Sequence, residues 1–139
     1  VGRDVFVRLD VGDEMHASIR ELSEHGISAA AITSGIGRIR NTVIGYLDAD
    51  GVYQKEVLEA PVELLSAQGN LAPGSDGAST HIHIVASDDD HTVHGGHLFE
   101  ATVEVTAEMH LRVLGDEDSP LKRESTDSEF LRLSFCDLG

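Results

Sequence analysis

The stretch Thr102-Val103-Glu104-Val105-Thr106-Ala107-Glu108-Met109-His110-Leu111-Arg112-Val113 decides the fold. Val103, Val105, Ala107, Met109, Leu111 and Val113 share one face; Thr102, Glu104, Thr106, Glu108, His110 and Arg112 share the other. A period of two is the signature of a strand with one buried face. The polar face is left to solvent or to a neighbouring subunit, as antiparallel sheets commonly leave one.

Working outward, Val5 to Leu9, Val62 to Ala67, Thr80 to Ala86 and Phe130 to Phe135 also read as strands. Thr42 to Leu47 and Val52 to Leu58 form a hairpin across the acidic turn Asp48-Ala49-Asp50-Gly51. Ile27 to Thr33 reads as a short buried strand entering a Ser34-Gly35-Ile36-Gly37 loop. Gly35 and Gly37 there suit a tight turn or a close backbone approach. Gly69-Asn70 is expected to end the Val62 strand, and residues 72–79 read as a flexible loop. One helix is expected from about Asp13 to His25. Met15, Ile19 and Leu22 share a face, Asp13 and Glu14 favour its N-terminus, and Gly26 supplies the stop. His16 and His25 belong to it, with His25 placed as a partner of the helix dipole. One helix and about seven short strands make an α+β domain, a mostly antiparallel sheet with the helix packed against it.

The 139 residues argue for one domain, with residues 115–128 as a mobile acidic loop. At 4% aromatic and without Trp, the core must rest on Val, Ile, Leu and Ala. Cys136 is alone, so no internal disulfide can form. The chain begins at Val1 rather than Met, which leaves room for a short native leader. With no signal peptide and no apolar run long enough for a bilayer, the expected location is cytoplasmic, with no membrane partner.

Asp and Glu total 25 against 10 Lys and Arg, a formal net charge of −15. Only Lys55 and Lys122 are lysines. Such a surface repels itself in dilute salt and fits a salt-rich, halophilic source, where screening is short-ranged. No basic stripe exists; Arg38 and Arg40 form the one local basic cluster outside the tail. Direct binding to nucleic-acid phosphates is disfavoured.

The chemistry concentrates in histidines. His81 and His83 are one residue apart on an expected strand, so their rings leave one face with Cα atoms about 7 Å apart. Ile82 and Ile84 face the other way. Gly95-Gly96-His97-Leu98 supplies a third imidazole, the glycines allowing the tight turn that brings His97 near. Three neutral imidazoles leave a coordination position open, as in catalytic zinc sites. The same spacing also suits a hydrogen-bonded polar patch or a subunit contact. His91 and His94 lie between them and are read as spare. Glu63, in Pro61-Val62-Glu63-Leu64-Leu65, either faces a pocket, pairs with an Arg, or is simply exposed.

These motifs together resemble the PPC (plant and prokaryote conserved) domain family over nearly the whole chain. The resemblance is carried by Arg8-Leu9-Asp10, Gly12-Asp13-Glu14, Gly35-Ile36-Gly37, Gly45-Tyr46-Leu47-Asp48, Pro61 through Ser66, Gly69-Asn70-Leu71, His81-Ile82-His83, Gly95-Gly96-His97-Leu98 and Thr106-Ala107-Glu108. It implies an antiparallel sheet with a helix against it, and assembly as a homotrimer. It implies a divalent metal, zinc or another transition metal, on His81, His83 and His97. Gly35, Gly37, Glu63, Asn70, Gly95 and Gly96 take pocket or structural positions. Plant members join the domain to an AT-hook and act in the nucleus; stand-alone prokaryotic members carry a DNA-binding label. This chain has no Arg-Gly-Arg hook, and Ala60-Pro61-Val62 stands where the plant interaction motif has Gly-Arg-Phe.

Two functions follow as expectations. One is a trimeric regulatory or binding module, DNA-associated, with a metal shaping its pocket. The other is a metal-dependent enzyme acting on a small molecule, with Glu63 as general base. A cupin fits poorly, because Asp88, Asp89 and Asp90 stand where that pattern expects a Glu after the His pair.

Overall fold

The computed structural model describes residues 3–115 and 119–135. Cys136 lies outside them. The strands are β1 (Arg3–Leu9), β2 (Ala29–Leu47), β3 (Tyr53–Leu58), β4 (Val62–Gly74), β5 (Gly77–Ser87), β6 (Val93–Gly115), β7 (Leu121–Ser125) and β8 (Leu131–Phe135). The helix α1 (Met15–Glu21) continues into a 3-10 turn at Leu22–His25.

Six strands form one antiparallel sheet in the order β1-β6-β5-β4-β2-β3. β6 pairs with β2 as well as with β5, closing β6, β5, β4 and β2 into a ring of pairings. The expected strand at Thr102 to Val113 is the C-terminal half of β6, paired with β1 and β2. Val103, Ala107, Met109, Leu111 and Val113 are buried as the alternation requires. Val105 is the exception at 58% exposed. Between Gly37↔Ala107 and Ile39↔Val103 the register slips, so a bulge at Val105 breaks the alternation there.

The helix is anchored at both ends. Glu14 caps it by accepting from Ala17 N at 2.8 Å, and its other oxygen accepts from Ala101 N of β6 at 3.2 Å. Gly26 ends it in the left-handed region at φ 82°. Met15 and Ile19 are fully buried against the sheet, each contributing about 1.5–3 kcal/mol.

Four expected boundaries fall differently. Ser34 to Gly37 is not a loop: β2 runs through it for 19 residues. Glycine serves close approach there, since a Cβ at Gly37 would lie 2.0 Å from Thr106 O. β4 likewise continues through Gly69-Asn70 to Gly74, because β5 pairs with it to Gly77. Residues 72–79 shrink to a turn for the same reason. Within the stretch read as an acidic loop, Leu121–Ser125 pair with Leu131–Phe135 as a separate two-stranded sheet.

Candidate metal centre

β5 and β6 bring the three histidines together. His81 and His83 leave the face of β5 opposite buried Ile82 and Ile84, and His83 pairs directly with His97 of β6. Gly95 and Gly96 are not a turn, as expected, but strand positions facing Val85 and Ile84. A Cβ at Gly96 would lie 2.8 Å from Gly45 O, so the glycine lets β6 close on β2 beside the site. Gly45 is itself the β2 partner of His97. The backing strand needs a glycine too: a Cβ at Gly69 would meet His81 O at 1.9 Å.

One ring nitrogen from each of His81, His83 and His97 lies within 4.8 Å of the others. His81 Nε2 and His83 Nε2 are 3.1 Å apart. Nitrogens around a tetrahedral zinc at ordinary bond lengths stand about 3.3 Å apart, so the three imidazoles fit a divalent ion with only small ring movements.

Electrostatics point the same way. His81 is lowered to about 4 by burial, then by the neighbouring charges of His83, Arg123 and His16. His97 is lowered to about 4 by burial, then by His81 and His83. Both rings are therefore neutral at physiological pH, the form that ligates.

The surroundings hold the rings in place. The Tyr53 and Phe99 rings each pack tilted against His97, with centroids 4.7 Å away. On the helix side, buried His16 joins Thr80 Oγ1 at 2.7 Å and Leu98 O at 2.8 Å. A carbonyl only accepts, so Nε2–H donates to Leu98 and Nδ1 accepts the Thr80 hydroxyl. His16 thus ties the neighbours of His81 and His97 to the helix. Burial lowers its own proton affinity, consistent with a neutral ring.

Two clefts flank the cluster. One of about 230 Å³ is lined by Gln68, Gly69, Asn70, His81 and His83. The other, about 180 Å³, has Tyr53, Ser79, His81, His97, Arg123 and Glu129 in its walls. A larger groove of about 870 Å³ lies along β7 and contains none of these histidines.

The remaining expected site residues sort out by position. Asn70 lines the first cleft and accepts from Arg123 Nη2. Gly35 and Gly37 sit away from the site, packed against Met109 and Thr106. Glu63 does not reach the histidines. It lies five residues along β4 from Gln68, the partner of His83, roughly 16 Å at strand rise, and pairs with Arg38 at 3.6 Å. Of the readings left open for Glu63, the structure thus describes the pair with an Arg at an exposed position. His94 bonds Asp88 at 3.0 Å, and His91 sits in the turn at φ 63°, so neither joins the cluster. Arg123, Tyr53, Glu129 and His16 were not singled out as site residues in the sequence, His16 being read only as part of the helix. Arg123 and Glu129 fall in or beside the polar tail, where no periodicity marks them.

A model of the Plants and Prokaryotes Conserved (PCC) domain matches residues 1–115. A plant- and prokaryote-conserved protein from Pyrococcus horikoshii is 28% identical, with a TM-score of 0.83 over 98% of this chain and 94% of that one. A metal-containing protein from Archaeoglobus fulgidus is 36% identical, with a TM-score of 0.82 over 99% of this chain and 95% of that one. A candidate DNA-binding protein from Bacteroides thetaiotaomicron shares the fold at 20% identity and a TM-score of 0.82, covering 97% and 94%. No curated protein matches the chain significantly.

Proposed function

Because this chain belongs to the Plants and Prokaryotes Conserved domain family, we propose that it is a binding or regulatory module. In this reading it holds a divalent metal, zinc in first place, on His81, His83 and His97, and assembles as a homotrimer. The convergence of three ring nitrogens within 4.8 Å carries the reading. The Archaeoglobus relative, described as metal-containing, supports it. When bound, the metal supplies an open position that can hold an oxygen of a small ligand.

Self-assembly is supported by the outer sheet face, which exposes Phe6, Ile36, Leu65, Val85 and Val105. Exposed apolar groups of this kind mark interaction surfaces. Any DNA association would run through partners rather than phosphate contacts. Arg38 is paired with Glu63 and Asp89, and Arg40 with Glu104, so the one local basic cluster is already neutralised.

A metal-dependent enzyme is the second reading, favoured by one observation. Glu129 lines the same cleft as His81 and His97. Its Oε2, however, already accepts from Tyr53 N at 2.6 Å.

The test is elemental analysis of the native assembly beside the His81→Ala and His83→Ala variants. The expected result is about one metal per chain in the wild type and none in either variant, with the fold retained by circular dichroism. Unchanged zinc in both variants rejects the site. Sedimentation should give three times the chain mass, and a monomer would reject the trimer.

A further inference from the structure

The cleft beside His81 and His97 contains a recognition element that metal binding leaves unused. Arg123 is only 6% exposed. Its Nη2 donates to Asn70 Oδ1, and its Nη1 reaches Leu131 O at a long 3.5 Å. Its Nε has no hydrogen-bond partner among the described residues. Buried donors are nearly always paired, so an unpaired buried nitrogen on a side chain that lines the cleft asks for an acceptor. The Nε edge of a guanidinium accepts a carboxylate through two parallel hydrogen bonds, a geometry that lysine lacks.

We propose that Arg123 anchors a small carboxylate in this cleft, its acid group on the Nε edge and a second oxygen turned toward the metal on His81 and His97. The metal half of this proposal rests on the three-histidine reading; the Arg123 half does not. Size limits the ligand. The cleft's 180 Å³ holds about six water-sized groups, which suits an acid of two to four carbons. Tyr53 and Leu131 offer apolar wall for its carbon chain. Charge selects further. Glu129 lines the same cleft on a chain of net charge −15, which penalises a dianion more than a monoanion. A 2-hydroxy or 2-oxo monocarboxylate therefore fits better than phosphate.

The experiment titrates zinc-loaded protein with glycolate and separately with inorganic phosphate. Calorimetry gives affinity, and the ¹H–¹⁵N signal of the Arg123 Nε–H gives the contact without a variant. The expected result is glycolate binding that moves the Nε–H signal, with phosphate weaker. Arg123→Lys, which keeps the charge but removes the edge, should weaken glycolate about tenfold or more. His83→Ala, lacking metal, should bind glycolate less tightly but still move the Nε–H signal. Loss of zinc from the wild type with that shift intact would sink the metal reading alone. No glycolate binding, an unmoved Nε–H signal, a preference for phosphate, or full affinity in Arg123→Lys would each overturn the carboxylate site.

Discussion

His81 and His97 should contribute little to any loss of zinc affinity between about pH 7 and pH 5, because protons compete poorly for these two rings. His81 and His97 are each lowered to about 4 by burial and by neighbouring positive charge. An ordinary imidazole near 6.5 would lose about 25-fold in ligating capacity over that range, and two would lose several hundred-fold. With both rings at about 4, their combined loss stays below about twofold. The same shift acts on the metal-free protein. The unfolded chain takes up these protons near 6.5, whereas the folded chain refuses them until about 4. Stability of the metal-free form is thus fully present above the ordinary histidine range, erodes as pH falls through that window, and levels off below it. Partial exposure of both rings to water trims the effect without changing its sign. Chelator competition for zinc at several pH values measures it. A fall of several hundred-fold or more, as two ordinary rings would produce, would refute the reasoning.

Gly69→Ala should destabilise the fold by about 2 kcal/mol or more and loosen the site, because the added Cβ would meet His81 O at 1.9 Å. Denaturant midpoints and zinc content check it, and a wild-type midpoint would contradict it. His16→Ala should cost about 1–3 kcal/mol by stranding Thr80 Oγ1 and Leu98 O, and should weaken zinc at least about tenfold while leaving one site per chain. Thermal melts with chelator titration decide that, and an unchanged zinc affinity counts against His16 as a positioning residue. In gel-shift assays at moderate salt the isolated chain should leave duplex DNA unshifted; binding with a steep salt dependence would contradict the reading of its surface.

The helix and the strand from Thr102 to Val113 were legible because a buried face imposes a period, and Met15, Ile19, Met109 and Leu111 carry it. The His81/His83 pair was legible for the same reason: strand alternation alone sets both rings on one face. Glycine was harder to read. Gly35, Gly37, Gly69, Gly95 and Gly96 look like punctuation locally, yet each lies within a long strand, four of them where another backbone or side chain crowds the Cβ position. Only the partner strands reveal that. Arg123 was invisible, since its role depends on Asn70 and on a hairpin formed by a polar tail. For Glu63 the sequence left three positions open, facing a pocket, paired with an Arg or exposed, and only the sheet, which sets it beside Arg38, chooses among them.

X-ray absorption at the zinc edge of the loaded wild-type protein tests the central claim most directly. The account predicts about three imidazole nitrogens near 2.0 Å, with remaining coordination from a light atom, and loss of that signature in His83→Ala. Zinc surrounded only by oxygen, or an unchanged spectrum in the variant, would contradict it.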